Sequence, residues 1–443
     1  MINSTPKQKE AFKYLLDSKT KTIIYGGAAG GGKSFLGCFW LFTMAMSYPE
    51  TRYFIGREEL KRIRQSTIVT WAKLCKMIGF SDYKINGQDN YILFSNGSHI
   101  DLLDLRYLPS DPLYERYGSI EYTGGWIEEG GETNFGAYDT LKTRVGRHLN
   151  KELSITPKIF ITCNPKKNWL YSEFYIKFKN NSLPDNVKFI QAFVQDNPHL
   201  TADYIDNLLS TKDKSKKERL LYGNWEYDDD PSALFQYDNI QNAYSNEYAV
   251  QSIEKKYITC DVARFGKDKS VIMVWKGYHC YRIIEIDKNK INDLAHKIKD
   301  IARQEFIPMS QVICDEDGVG GGVVDILGCK GFIANSTPVM RKSDKQNFNS
   351  IKSQCAFSLA QKFEDNKYYI QCDKSKQEII SEELEVVKNA GFDDDNKQRI
   401  NSKKDQKELL GRSPDYFDTI NMREWFDVTD KRGPRKAGIM TVG

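Results

Sequence analysis

The sequence predicts an α/β chain in two parts, and two patterns carry that expectation. In the first half, short apolar strands alternate with amphipathic helices, the order of a parallel sheet covered on both faces. In the second half, three closely spaced strands are followed by a helix, a fourth strand and further helices, the order of a ribonuclease H-like domain. Between them YDDDPSALFQYDNIQNAYSN, residues 227–246, breaks both patterns with an acidic triplet, a proline and mixed polar residues. A chain of 443 residues fits two domains, each of roughly 200 residues. The expected division is 1–228, a linker over 229–250, a second domain over 251–430 and a basic tail over 431–443.

The elements follow in order. In the first half TIIYGG is a strand, a helix starts at Lys33, RYFIGR is a strand, and a helix runs through Thr67 to Ile78. YILFSNGSHIDLLDL, residues 91–105, reads as a hairpin turning at Asn96–Gly97. Further strands end at WIEE and IFITCNP. In the second half KYITCDV, SVIMVW and HCYRIIEID are strands, Asn292 to Phe306 a helix, and QVICD a short strand. Helices are expected over 348–365, over 374–390 and from Pro414 to Asp427.

Composition narrows the function classes. Hydrophobic residues make up 40% and charged residues 28%, so both parts can build a core. A net charge of +4, from 64 basic and 60 acidic residues, excludes a polycation but leaves room for a local basic surface. The basic runs KRIRQ (61–65), KDKSKKER (212–219) and KSDK (342–345) are candidates for backbone contacts to nucleic acid. Nine cysteines without a C-x-x-C pair and five histidines without zinc spacing read as reduced packing residues, not metal ligands. The opening MINSTPKQKEAF lacks a signal-peptide pattern, and no apolar run has membrane-span length, so a soluble intracellular protein with no membrane partner is expected.

Residues 22–34, TIIYGGAAGGGKS, place G-x-x-x-x-G-K-[ST] from Gly27 to Ser34 between a strand and a helix. Gly27, Gly30 and Gly32 let backbone N–H groups curl around phosphates, and the helix N-terminus adds partial positive charge. Lys33 can reach the β and γ phosphates of ATP, and the Ser34 hydroxyl can hold Mg²⁺. On another strand end, TGGWIEEGGE supplies Glu128 for the magnesium side and Glu129 as the base that polarises water. Thr162 and Asn164, at the end of IFITCNP, are placed to sense the γ-phosphate. The Gln8 amide can read an adenine edge. Arg144 and Arg147 are candidates for an arginine finger offered to a neighbouring subunit, and the sequence leaves the choice between them open.

In the second half Asp261 ends YITCD and Asp315 ends QVICD, while SPDYFDTI sets Asp415 and Asp418 on one helix face. Carboxylates gathered at one sheet edge repel unless divalent cations neutralise them, and Mg²⁺ or Mn²⁺ prefers such oxygen ligands. Two ions held by Asp261, Asp315 and Asp418, with Asp415 as a cap or auxiliary ligand, suit phosphodiester hydrolysis.

The ordered set around Gln8, GGAAGGGKS, WIEEGGE, TCNP, LLYGNW, CDVARFGKDKS, CDEDGVGGG and SPDYFDT resembles the large terminase subunits of tailed bacteriophages across nearly the whole chain. The resemblance implies a P-loop ATPase of the RecA/ASCE type joined to a ribonuclease H-like nuclease. It makes Lys33 and Ser34 the phosphate-loop pair, Glu128 the magnesium-side acid, Glu129 the catalytic glutamate and Thr162 to Asn164 the coupling motif. It makes Asp261, Asp315 and Asp418 the nuclease ligands. The implied activity is ATP-driven packaging of double-stranded DNA with metal-dependent cleavage, in the host cytoplasm and outside the mature virion. The implied partners are a small terminase subunit, the portal of the procapsid and further copies of the chain in a ring. Two rivals remain at this point: a helicase-type repair ATPase with a nuclease, which would need a second motor domain, and a non-enzymatic assembly factor.

Overall fold

The structure, a computed structural model, describes residues 4–211, 214–227, 230, 232–249, 255–263, 269–287, 290–318, 320–339 and 347–430. The basic tail 431–443 and the run KSDK lie outside them. The chain divides into two compact units, Met1–Asp230 and Pro231–Gly443.

The first unit runs α1 (Pro6–Leu16), β1 (Thr22–Gly27), α2 (Lys33–Ser47), β2 (Arg52–Arg57), α3 (Leu60–Arg62), a π-turn over Ile63–Thr67 and α4 (Ile68–Ile78). β3 (Tyr83–Asn86), β4 (Tyr91–Phe94), β5 (His99–Asp104), β6 (Gly124–Ile127), α5 (Phe135–Lys142) and β7 (Lys158–Cys163) follow. α6 (Ile176–Lys179), β8 (Val187–Ala192), α7 (Ala202–Leu209) and α8 (Lys214–Leu220) complete it. One sheet of eight strands has the order β3-β4-β5-β2-β6-β7-β1-β8. The run from β5 to β8 is parallel, and β3 and β4 join antiparallel at one edge.

β1, β6 and β7 are buried along their whole length, which explains their unbroken apolar sequences. α2 crosses the sheet closely because Gly37 has no side chain; a Cβ there would collide with Trp126. The core on this face includes Trp40, Tyr53, Trp126 and Phe160, all at most 1% exposed. The strand β8 is absent from the sequence reading, since VKFIQA mixes polar and apolar residues without a clear period.

The second unit runs α9 (Tyr237–Asn242), β9 (Lys256–Asp261), β10 (Ser270–Lys276), β11 (His279–Ile286), α10 (Ile291–Gln304), β12 (Val312–Asp315), α11 (Gly321–Leu327) and β13 (Lys330–Phe332). α12 (Ile351–Glu364), β14 (Tyr369–Ile370), α13 (Lys374–Glu385), β15 (Asn389–Phe392), β16 (Gln398–Ile400), α14 (Lys403–Leu410) and α15 (Asp415–Val428) follow. The six-stranded sheet has the order β13-β12-β9-β10-β11-β14, with β9, β10 and β11 antiparallel and β12 parallel to β9. α10 and α11 pack in the core on one face, and α12 and α15 meet Ile313 and Phe332 on the other. The helix expected over 374–390 stops at Glu385; Asn389 and Ala390 belong to a β-hairpin, β15–β16, that pairs Asn389 with Ile400. Two consecutive β-branched residues, Val386 and Val387, stand where the helix gives way.

Candidate functional sites

In a parallel sheet the loops after the strands gather at one edge, and here they bring four sequence segments together. The phosphate-loop sequence turns from β1 into α2 with Gly30 and Gly32 at φ +77° and +70°, a conformation that side chains with a Cβ resist. Lys33 is buried, and its ammonium donates to the carbonyls of Ala28 at 2.7 Å and Gly27 at 3.3 Å and to Asn164 Oδ1 at 2.8 Å. Asn164 follows β7 and donates from its Nδ2 to Glu129 Oε2 at 3.0 Å. One amide therefore joins the loop lysine to the second acid of WIEE. Burial lowers the Lys33 pKa, against the opposing field of Glu129. Burial also raises the Glu129 carboxyl, which Lys33 partly offsets. Glu129 itself sits at φ +49°, in a left-handed conformation that a non-glycine residue adopts at a cost.

Glu128 takes a different environment. It is 2% exposed, accepts a hydrogen bond from the Thr67 hydroxyl, and lies 3.7 Å from the Arg57 guanidinium. Arg57 also reaches Glu132 at 3.3 Å and Ser66 at 2.9 Å. The first acid is thus tied to the π-turn, which overlaps the run KRIRQ. Of that run, Arg62 pairs with Glu132 at 2.9 Å and Arg64 bonds the Gly87 carbonyl at 2.6 Å. Thr162 is buried and accepts from the Trp126 indole at 3.0 Å.

Gln8 touches the loop but with its amide engaged inside the protein. Its Nε2 donates to Gly32 O at 2.9 Å and its Oε1 accepts from the Thr5 backbone at 2.9 Å. Arg144 lies at the other edge of the sheet: its carbonyl bonds Tyr122 N, two residues before β6 begins, whereas Glu128 follows the end of β6. Its side chain bonds Thr143 at 2.8 Å and the Gly118 carbonyl. Arg147, near the same edge, is exposed.

In the second unit Cys260 pairs with Cys314 across parallel β9 and β12, so the next residues, Asp261 and Asp315, end neighbouring strands together. α15 brings Asp418 to the same place. The three acids line a cavity of about 120 Å³ with Asp317, Phe332, Ala334, Lys352, Lys403 and Met422. Asp418 is held from both sides, by Lys352 at 2.5 Å and Lys403 at 2.6 Å. Burial favours its neutral form, but the two ammonium groups outweigh it and lower the carboxyl's pKa. Asp261 is only partly compensated, by the charge of Lys403: burial, then the charges of Asp415 and Asp418, push it well above the carboxylate range. Burial likewise pushes Asp315 up to about 6. Asp415, in the first turn of α15, acts on Asp261 through its charge but does not line the cavity.

Among the described residues no three histidine, cysteine or acidic side chains stand in metal-holding geometry. The chemistry of the donors nevertheless fits a hard divalent ion. They are carboxylate oxygens, and the charge of Asp261 is costly where it stands without a cation. Asp418 would have to exchange at least one lysine for an ion. Lys352 and Lys403, like Arg57, escaped the sequence reading. Arg57 was open to it, because RYFIGR ends at the same sheet edge as WIEE; the two lysines lie in helical segments with no motif around them.

A model of the N-terminal region of T4-like-virus-type large terminase subunits matches residues 24–242. No curated protein matches the chain. Among solved structures, the large terminase of a thermophilic bacteriophage, in complex with ADP, is 16% identical. It aligns over 93% of this chain and 98% of its own, with a TM-score of 0.45. The nuclease domain of the large terminase subunit gp2 of bacterial virus Sf6 is 18% identical over 43% of this chain and 98% of its own, with a TM-score of 0.39. A mutant of that domain solved with manganese is 17% identical over the same shares, with a TM-score of 0.38.

Proposed function

We propose that this chain, whose residues 24–242 match a model of the N-terminal region of large terminase subunits, is an ATP-driven DNA-packaging motor with a metal-dependent endonuclease. The observation that carries the reading is the run from Lys33 through Asn164 to Glu129, which links the lysine of the phosphate-loop sequence to a partly buried carboxylate beside it.

In the motor, residues 1–228, Gly27 to Ser34 cradle the phosphates of ATP. Lys33 leaves the carbonyls of Gly27 and Ala28 for the β and γ phosphates. Glu129 accepts the proton of the attacking water, and Asn164 sets the direction of that carboxylate. Ser34 and Glu128 are the residues that would hold Mg²⁺, Glu128 after release from Thr67, and the ion would supply positive charge against the phosphates. Gln8 steadies the loop through Gly32, and reaching a base would require giving up that bond.

In the nuclease, residues 251–430, Asp261, Asp315 and Asp418 would hold divalent ions, Mg²⁺ or Mn²⁺, with Asp415 alongside. Such ions activate water and stabilise the leaving oxygen of a phosphodiester. The chain's own contribution is to gather the acids at one sheet edge and to balance them with Lys352 and Lys403. Double-stranded DNA is the substrate of both activities. The partners proposed from the family are a small terminase subunit, a portal and further copies of the chain in a ring, in the host cytoplasm; no helix among the described residues is long and apolar enough to cross a membrane.

Two assays on the full chain test the reading. ATP hydrolysis should vanish in Lys33→Ala, and nicking of supercoiled plasmid in Mg²⁺ or Mn²⁺ should vanish in Asp261→Asn while each variant keeps the other activity. A wild-type chain that neither hydrolyses ATP nor cuts DNA would overturn it.

A further inference from the structure

We propose that Arg219 is a cis-acting arginine of the ATP site, a charge from α8 that meets the terminal phosphates of the nucleotide held by the same subunit. The inference deepens the ATPase reading above and rests on it.

The segment after β8 lies directly on the phosphate loop. Ala28 N donates to Ala192 O and Ala29 N to Leu220 O, both at 2.8 Å. Asn197 donates from its amide to the Gly30 carbonyl. Ala28 packs with Val194 and Leu221, and Leu200, just before α7, with Ile205 and Leu208 from α7 cover that cluster. These bonds turn the first two N–H groups after Gly27 outward onto the arm, and the later glycines, Lys33 and Ser34 are left to face phosphate.

On this arm Arg219 reaches from α8 to the sensing segment after β7. Its neighbour Leu220 is bonded to the loop, and its own Nε donates to the Pro165 carbonyl at 2.5 Å. Pro165 follows Asn164, whose Oδ1 is the acceptor for Lys33. The guanidinium is therefore fixed one residue from the amide that contacts both the phosphate-binding lysine and Glu129. Arg57 and Arg144 do not share that position. Arg57 is engaged by Glu128, Glu132 and Ser66, and Arg144 lies at the far edge of the sheet.

In hydrolysis the water oxygen bonds to the γ phosphorus as the bond to the β,γ-bridging oxygen breaks. ADP keeps the electron pair, and Glu129 takes the water proton. Arg219 exchanges no atom. It neutralises charge on the oxygens around the γ phosphorus, which grows at the bridging oxygen as ADP leaves. Because the oxygens of the γ phosphate are absent from ADP, the arm also reports whether the terminal phosphate is present.

The test uses the full chain with ATPγS, ADP and ATP as probes. Wild type hydrolysing ATP, with Lys33→Ala inactive, establishes the parent reading; failure there sinks that reading before Arg219 is at issue. Given that control, Arg219→Ala should weaken ATPγS binding at least tenfold and leave ADP binding within twofold. Single-turnover hydrolysis should fall roughly 10³-fold, the lower end for a catalytic arginine. Arg219→Lys, which keeps the charge and the fold but not the planar fork, should recover ATPγS binding before it recovers the rate. Mixing Arg219→Ala with Lys33→Ala should restore no activity, since both groups serve one subunit's site. Equal loss of ADP and ATPγS binding, unchanged hydrolysis in Arg219→Ala, or recovery on mixing would each overturn the proposal.

Discussion

Asn164 accepts a hydrogen bond from Lys33 at 2.8 Å, and the other end of the same amide donates to Glu129 at 3.0 Å. An amide is suited to this because it carries an acceptor and a donor on one rigid plane. Replacing Asn164 with Asp keeps the acceptor for Lys33 but sets a second carboxylate against Glu129. Asn164→Asp should therefore bind ATP and hydrolyse it about 10²-fold more slowly, the cost of a misdirected base. Phosphate release and nucleotide binding, measured together, check it; a rate within threefold of wild type would remove Asn164 from the mechanism.

Glu129→Gln removes the base and keeps the hydrogen-bonding shape. ATP should still bind, and hydrolysis should fall roughly 10²–10⁴-fold. If Glu128→Gln gives this phenotype and Glu129→Gln does not, the two roles are exchanged. The pH profile is a second check. Burial raises the Glu129 carboxyl, with Lys33 pulling against it, and hydrolysis needs the ionised form. The acid limb of kcat should lie above the ordinary carboxylate range and vanish in Glu129→Gln.

Asp261 and Asp315 make the metal-free second unit sensitive to pH in an unusual direction. Both carboxyls are raised by burial, Asp315 to about 6 and Asp261 well above the carboxylate range. Their folded values exceed the unfolded ones, so the stability they give is complete below the unfolded pKa and is lost as pH rises through the folded values. In chelator, thermal unfolding should come at lower temperature at pH 7.5 than at pH 5 from this contribution. Asp261→Asn should relieve the charge and raise Tm by about 2–4 °C, the equivalent of ~1 kcal/mol for a unit of this size. Manganese at pH 7.5 should raise the wild-type Tm more than that of the variant. A variant that melts lower than wild type in chelator would show the carboxylate to be held by favourable contacts instead.

Lys403 places a positive charge where a cation would approach Asp418. Lys403→Ala should tighten Mn²⁺ binding roughly tenfold, a change of ~1.4 kcal/mol for losing one partly screened charge. Titration calorimetry on the full chain reads it directly. Weaker binding in the variant would make Lys403 an organiser of the ligands and not a competitor of the ion.

What was legible in the sequence follows from what its patterns encode. The buried parallel strands β1 and β7 announce themselves as unbroken apolar runs, and the polar residues that follow them are read with them. β8 hides because three of its six residues are only partly buried, so VKFIQA shows neither a continuous run nor an alternation. The candidate residues on strand ends, Glu129, Asn164, Asp261 and Asp315, were found because strand order sends those ends to one edge of their own sheet. Their counter-charges were not. Lys352 lies on α12 and Lys403 at the start of α14, and only tertiary packing brings both to Asp418. Gln8 shows the opposite case, a motif residue whose amide the fold has already engaged with Thr5 and Gly32.

The third metal ligand is the sharpest remaining choice, because α15 offers Asp415 and Asp418 one turn apart. Asp418 lines the cavity, and both of its oxygens are held by lysines. Asp415 lies outside the cavity lining, yet it is the carboxylate whose charge acts most on Asp261. Position favours Asp418 as the ligand and Asp415 as an outer charge that raises the cost of leaving the site without a cation. Asp418→Asn should then abolish cleavage of supercoiled plasmid in both Mg²⁺ and Mn²⁺. It should also destabilise the unit by about 1–3 kcal/mol, because the ammonium groups of Lys352 and Lys403 lose their partner. Asp415→Asn should leave cleavage reduced roughly tenfold and should not lower Tm, since it removes a repulsion. The two variants thus separate on stability as well as on activity, and a folding defect cannot imitate the full pattern. Cleavage near normal in Asp418→Asn with a dead but stable Asp415→Asn would move the ligand to Asp415. It would also recast Asp418 as the anchor that keeps two lysines at the edge of the site.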